Sequence, residues 1–358
     1  MSLFRHRRVY FDNAATTPLD KRVLKAMRPF LTTHYGNPSS THKEGRKARM
    51  AVTNARVLIA DLLGCRPDEI FFTSGASESN SWVVKNVISQ VEEYSHDSVV
   101  LAAESYHDEF NPELVSYPLI DSETGGLHEF NESKYAFVDL TQAIGKVDIN
   151  LNGNLKHCMT ASFSAHKFNG PKGVGVLFIR KEFQDSFEPL IYGHQERMFR
   201  GGTENVAGIV GMATALEITI REMEKHNKHI DRMADYIRQQ VLLNKRKLER
   251  GVMVPLFVLN MMNDVKIWKQ HNIINITFAH LSAQSAVQIF DQYGIAISAG
   301  SACNSDSDEP SKTLLYYGFP SEEALRTIRV SLGYQNTLRE CKKFIRVLRK
   351  VIDKYDVL

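Results

Sequence analysis

Residues 162–180 read SFSAHKFNGPKGVGVLFIR, an apolar run that delivers Ser164, His166 and Lys167 to its end. A loop with Gly170, Pro171 and Gly173 follows, then a second apolar run, the pattern of strand, turn and strand. A lysine placed in this way can form a Schiff base with an aldehyde cofactor, and Ser164 and His166 can donate hydrogen bonds to a phosphate. GPKG is not a phosphate-binding P-loop, because Lys172 is followed by Gly173 rather than by Ser or Thr. Taken alone, the segment also fits a surface lysine beside a turn.

Three further constellations point the same way. TSGASES (73–79) joins an apolar run to a helical pattern beginning near Ala76. A Gly-Ala-Ser turn there presents free amide groups and the positive end of a helix dipole, both suited to a phosphate, with the Ser77 hydroxyl in addition. Plain N-capping by Ser74 or Ser77 explains the same residues equally well. In FVDLTQ (137–142), Asp139 ends an apolar strand, where an unpaired carboxylate is costly and a protonated pyridine nitrogen is a natural partner. Gln142, three residues on, could reach a ring oxygen, although Asp139 could equally cap the next helix. In AISAGSACNSDSDEPS (296–311), Cys303 sits among Gly, Ser, Asn, Asp and Pro, which reads as a mobile loop carrying an exposed thiol.

The elements that must position these residues follow from periodicity. Residues 46–63 form a helical stripe that Gly64 ends, and EIFFT (69–73) reads as a buried strand. Trp82, Val83, Val87, Ile88 and Val91 give the next helix its apolar face. VVLAAE (99–104), YAFVDL (135–140), MTASFS (159–164) and VGVLFI (174–179) read as further strands. A long helix is expected from Asn205 to about Lys225, then helical patterns, a strand at 273–278 and a last helix at 338–354. Alternating strands and helices in the first half are the signature of an α/β fold, with a domain boundary near residue 225.

The 358 residues suffice for two ordinary domains, and 43% hydrophobic with 24% charged residues is globular composition. A net charge of +3 is too weak for a nucleic-acid binder. Arg5-His6-Arg7-Arg8 reads as a solvated arm, since no apolar stretch follows it as in a signal peptide. No apolar run is long enough to span a membrane. Cys65, Cys158, Cys303 and Cys341 form no CxxC pair and no disulfide framework, so no metal site is expected and a reducing cytoplasm is the default.

The motifs YFDNAATTP (10–18), YGNPSS (35–40), TSGASES, VDLTQ, SFSAHK, RGGTEN (200–205), SAGSAC (298–303) and IRVSLG (328–333) stand in an order that resembles the cysteine desulfurases. These belong to the class-V aminotransferases among fold-type I pyridoxal-phosphate enzymes. The long cysteine loop ending in EPS resembles the branch that serves iron–sulfur assembly and tRNA thiolation. The resemblance implies an aspartate aminotransferase-like α/β fold. A large cofactor domain (15–224) would hold a mixed, mostly parallel sheet flanked by helices, and a smaller α+β domain (1–14 and 225–358) would carry the Cys303 loop.

It also implies roles. Lys167 would hold pyridoxal phosphate, Asp139 its pyridinium nitrogen and Gln142 its ring hydroxyl. Ala76, Ser77, Ser164 and His166 would hold the phosphate, with Thr203 reaching the phosphate of the other subunit of a homodimer. His107 would stack on the ring and move protons, here within Ser105-Tyr106-His107 where the family has Glu-His. Asn13, Asn37 and Arg329 would bind L-cysteine, Arg329 by a two-pronged contact to its carboxylate. Sulfur would pass to Cys303 as a persulfide, with L-alanine as the other product and an acceptor protein to follow.

The chain departs from the pattern in one place. Only 31 residues separate His107 from Asp139, several tens fewer than in the family, and no Asn-Asn-Glu-Ile-Gly segment is found. One strand (ELVSYPLI, 113–120) and a turn at Gly125-Gly126 remain. Leu140 also stands where a small residue is usual. The expected consequence is a sheet with one strand fewer, in which YAFVDL pairs directly with VVLAAE or is bridged by new backbone. The rival functions are a degenerate family member acting as a binding or scaffold subunit, and a selenocysteine lyase or aminotransferase-like enzyme. Simple amino transfer has no use for a loop thiol.

Overall fold

The computed structural model describes residues 8–87, 90–92, 94–106, 115–128, 136–245, 272–300 and 309–356. These form two compact units, Thr17–Ile120 with Glu129–Met223, and Met1–Thr16 with Asp121–His128 and Glu224–Leu358. The first strand, β1 (Val9–Tyr10), belongs to the smaller unit.

The larger unit opens with α1 (Lys21–Thr32) and α2 (Lys43–Leu63). Asp20 caps α1 by accepting from the Arg22 amide, and His42 caps α2 by accepting from Gly45. Gly64 ends α2 in the left-handed region at φ 65°, where a side chain would also meet Asn150 Oδ1 at 2.4 Å. β2 (Ile70–Thr73), α3 (Ala76–Asn86), β3 (Gln90–Val91), α4 (Asp97–Tyr106), β4 (Val115–Pro118), β5 (Ala136–Asp139), β6 (Cys158–Ser164) and β7 (Gly175–Ile179) follow, and α5 (Val206–Arg221) closes the unit.

Six strands pair in the order β2-β7-β6-β5-β4-β3, parallel from β3 to β6, with β7 antiparallel to both its neighbours. All seven residues of β6 and all five of β7 are buried, and β7 accordingly reads as a continuous apolar run, whereas β6 alternates apolar residues with the buried hydroxyls of Thr160, Ser162 and Ser164.

The segment VVLAAE is a helix, not the expected strand. Val99, Ala102 and Ala103 are buried in the core that holds Trp82 and Val83 of α3, while Leu101 is exposed, so its apolar residues recur at helical spacing. His96 starts the turn by accepting from the amides of Val99 and Val100 and taking the Ser98 amide on Nδ1. The place beside β5 is filled by β4, with Val115 opposite Ala136 and Pro118 opposite Asp139. YAFVDL therefore pairs with neither VVLAAE nor new backbone but with the strand read at ELVSYPLI.

In the smaller unit α6 (Met223–Lys245) precedes β8 (Ile273–Thr277), α7 (Ala283–Gln292), β9 (Ile295–Ala296), β10 (Ser298–Ala299), α8 (Lys312–Tyr316), α9 (Ser321–Ala324), β11 (Thr327–Ser331) and α10 (Leu338–Tyr355). The sheet runs β10-β11-β8, all antiparallel, and β1 pairs with β9 in parallel. Phe11 and Phe290 both pack on Phe344 of α10, a helix that starts in a Thr337–Glu340 capping box. Asp12 bridges to Ser331 of β11.

Candidate functional site

In the larger unit the chemistry gathers at strand ends. Ser164 is the last residue of β6, and Ala165–Lys167 form a 3-10 turn directly after it. Ser164 Oγ accepts the Ala76 amide at 2.7 Å. That bond brings SFSAHK and TSGASES together and answers the capping question. The N-cap of α3 is Gly75, with no side-chain bond of its own, and the Ser74 amide instead meets Glu78 Oε2 at 2.8 Å. Gly175 must lack a side chain, since a Cβ would lie 2.6 Å from Gly75 Cα. Ser77 is exposed beside this turn.

Asp139 ends β5 and is buried. Its Oδ1 accepts from the Thr141 amide at 2.8 Å, while Oδ2 accepts a long 3.5 Å hydrogen bond from Asn80. Asn80 is itself fixed by Ser162 Oγ at 2.6 Å and by Ser98 Oγ at 2.8 Å. Gln142 is buried, and its Oε1 accepts from Lys146 Nζ at 2.7 Å, a partner that the sequence reading did not anticipate.

His166 and Lys167 are half-buried. Burial, with Lys167 and Lys172 nearby, pulls the His166 imidazole down to about 4, so at neutral pH it is an uncharged donor or acceptor. The His166 carbonyl is held by the amide and hydroxyl of Thr17. Thr203 is exposed on a cavity of about 200 Å³ that Ser74, Gly173, Arg200 and Asn205 also line. Asn37 is exposed, its Oδ1 accepting from the Ser39 amide.

In the smaller unit Arg329 is 1% exposed on β11. Nη2 reaches Asp12 Oδ1 at 3.2 Å and Nη1 donates to the Ser122 carbonyl at 2.9 Å, while Nε has no partner among the described residues. Asn13 is buried nearby, and its Nδ2 donates to the Ser331 carbonyl and to Asn336 Oδ1. His107 and Cys303 lie outside the described residues. The described cysteines are poor nucleophiles: burial pushes the thiols of Cys65, Cys158 and Cys341 up to about 12.

Sequence reasoning missed Asn80, Ser162, Thr141, Asp12 and Ser122. One signal was available. Thr160, Ser162 and Ser164 are polar at every second position of an apolar strand, which aims small hydroxyls to one face.

These residues suit pyridoxal phosphate. The start of α3 carries no side-chain cap of its own, the Ser164 hydroxyl meets it, a neutral imidazole follows two residues after that serine, and a buried carboxylate stands at a strand end with capacity at Oδ2. A model of the family described as aminotransferase class-V matches residues 9–113 and 109–344. A cysteine desulfurase IscS of Dictyoglomus turgidum is 36% identical over 391 aligned residues, covering 97% of this chain and 95% of the relative. The chain belongs to the cysteine desulfurase family of class-V aminotransferases.

Among solved structures, a NifS-like protein superposes with a TM-score of 0.82 at 30% identity, covering 97% of this chain and 99% of its own. A structure titled SspA in complex with cysteine does so at 0.72 and 28%, covering 92% and 100%. The fold is therefore that of fold-type I, and dependence on pyridoxal phosphate is a property of the family. The family match changes over at residues 109–113, and the IscS alignment is longer than this 358-residue chain. The relative thus carries residues that this chain lacks.

Proposed function

We propose that the chain is a pyridoxal-phosphate-dependent cysteine desulfurase that takes sulfur from L-cysteine onto Cys303 and releases L-alanine. The observation that carries the reading is the Ser164–Ala76 bond, which joins two family motifs into one cradle at the start of α3. The full-length relatives named cysteine desulfurase support it.

Pyridoxal phosphate, when bound, supplies an electron sink for charge developing at the substrate α-carbon. Lys167 would hold its aldehyde and Asp139 its ring nitrogen. The Ala76 amide, Ser77, Ser164 and His166 would hold its phosphate, with Thr203 of a second copy, and Gln142 would hold its ring hydroxyl. Arg329 receives the cysteine carboxylate, and Asn13 and Asn37 are the further substrate-binding residues. The Lys167 amine takes the α-proton. His107 accepts the thiol proton of Cys303, whose ordinary pKa of roughly 8.5 leaves it mostly protonated at neutral pH. The thiolate attacks the substrate sulfur, the carbon–sulfur bond breaks as the sulfur–sulfur bond forms, and the carbon fragment takes one proton at its β-carbon and regains one at its α-carbon from Lys167 to become alanine. A sulfur-acceptor protein, in iron–sulfur assembly or tRNA thiolation, would then collect the persulfide.

No helix among the described residues is long and apolar enough to cross a membrane. A second reading, a family member kept as a binding subunit, has one observation in its favour: Lys146 already occupies Gln142 Oε1. Incubation with L-cysteine, scoring alanine and sulfide, separates the two. The desulfurase forms both, and a binding subunit forms neither.

A further inference from the structure

The turn Asp121–His128, which follows β4, is built around a fully buried carboxylate. Asp121 Oδ1 accepts from the amides of Glu123 and Thr124 at 3.0 and 2.6 Å, and Oδ2 from Thr124 Oγ1, the Gly126 amide and Tyr317 Oη. Tyr317 Oη also lies 3.1 Å from His128 Nε2. So anchored, the turn presents two groups to its own unit. The Ser122 carbonyl accepts from Arg329 Nη1, and the Glu123 carbonyl accepts from Asn275 Nδ2 at 3.1 Å.

The Glu123 side chain has no such simple explanation. It is 3% exposed, and Oε1 has no hydrogen-bond partner among the described residues. Oε2 accepts from Ser311 Oγ at 2.6 Å. Ser311 is the N-cap of α8 and accepts from the Leu314 amide with the same oxygen. On the other side, a Cβ added at Gly300 would lie 3.0 Å from Glu123 Oε1 and 4.0 Å from the Ser311 Cβ. Gly300 follows directly on β10, where Ser298 pairs with Arg329. Gly300 and Ser311 therefore meet at one buried carboxyl, and they bound the segment that contains Cys303.

We propose that Glu123 is a positioning residue for sulfur transfer, its carboxyl group joining Gly300 and Ser311, the two ends of the Cys303 segment, to the turn that also holds Arg329. The proposal rests on the roles given above to Cys303 and Arg329. Burial drives the Glu123 carboxyl up to about 7, against the Ser311 hydrogen bond, the Arg329 charge and a Thr313 hydrogen bond, while Asp121 adds to the rise. Those are the charged and hydrogen-bonding groups facing it among the described residues. Because the folded-state value lies above the ordinary one, the neutral form is favoured, and ionisation as pH rises through about 7 puts an unfavourable buried charge at the junction.

The test uses full-length holoenzyme carrying Glu123→Gln or Glu123→Ala. Three quantities are read at pH 6 and pH 8: kcat for alanine formation, KM for L-cysteine, and the rate of Cys303 alkylation by iodoacetamide, located by peptide mapping. Glutamine stays neutral and can still accept from Ser311, so at pH 6 its kcat should remain within about twofold of wild type. Alanine should lose roughly tenfold in kcat with KM little changed. The ratio of wild-type to Gln alkylation rates cancels the titration of the thiol itself. It should be near one at pH 6 and depart from one at pH 8. An Ala variant with wild-type kcat, a loss that Gln fails to rescue at pH 6, or a ratio that ignores pH overturns the proposal. A wild-type protein that forms no alanine would refute the desulfurase reading instead, and the alkylation ratio alone would then decide the role of Glu123.

Discussion

Ser164 Oγ accepts the amide hydrogen of Ala76 at 2.7 Å, joining the last residue of β6 to the first residue of α3 across 88 positions of sequence. The helix start is thus satisfied from outside its own segment, and the same hydroxyl stands where a phosphate would be bound. Ser164→Ala leaves a buried amide unpaired. It should weaken pyridoxal phosphate binding by about 1–2 kcal/mol, roughly 5- to 30-fold, in a fluorescence titration of the apoprotein. Unchanged affinity would contradict the cradle.

Asp139→Asn keeps an oxygen for the Thr141 amide, so the fold should survive. What it removes is the negative charge that would face the ring nitrogen. Turnover at saturating cofactor should fall on the order of a hundredfold, with a melting temperature close to wild type. A loss of less than threefold would remove Asp139 from the cofactor site.

His166 provides a pH test that needs no turnover. Its imidazole is pulled from 6.5 to about 4 by burial and by Lys167 and Lys172. A depressed value means that the unfolded chain takes up the proton first. The stabilisation is complete above pH 6.5 and is lost as pH falls toward 4. The side chain is only half-buried, so after solvent screening the contribution is about 1–2 kcal/mol. Urea unfolding of the apoprotein at pH 7.5 and pH 5 should show that loss in wild type and a shallower one in His166→Gln. Identical slopes would rule the imidazole out as the source.

Arg329 is held by Asp12 and the Ser122 carbonyl at full burial. Arg329→Ala removes the charged partner of Asp12, leaving it the Ser298 hydroxyl, and should cost about 3 kcal/mol of stability. Arg329→Lys keeps the charge and loses the fork. It should raise KM for L-cysteine by roughly tenfold while kcat changes less. A KM within twofold of wild type would place the substrate carboxylate elsewhere.

Much of this was legible in the sequence, because local rules and long-range packing agree along most of the chain. Gly64 ends α2 and Asn205 caps α5 as their types dictate. β7 is buried on both faces and so reads as an unbroken apolar run. VVLAAE reads as a strand because five consecutive apolar residues fit either period, and only burial of Val99, Ala102 and Ala103 against α3 settles it as a helix. The side-chain pairings were not legible at all. Nothing in FVDLTQ says that Lys146 will take Gln142, and nothing in TSGASES says that Asn80 will lie between Ser162 and Asp139. Such partners are set by which strands become neighbours. The turn at Gly125-Gly126 was visible, but its place in the smaller unit, with Ser122 on Arg329, was not.

The central claim is that sulfur leaves L-cysteine and lands on Cys303. The most direct measurement is peptide mapping by mass spectrometry after one turnover with L-cysteine, with alanine quantified in the same sample. The account predicts one added sulfur atom on the peptide carrying Cys303, in step with one alanine, and neither persulfide nor alanine accumulation in Cys303→Ala holoenzyme. Persulfide on Cys65, Cys158 or Cys341, or alanine formed at the wild-type rate by Cys303→Ala, would contradict it.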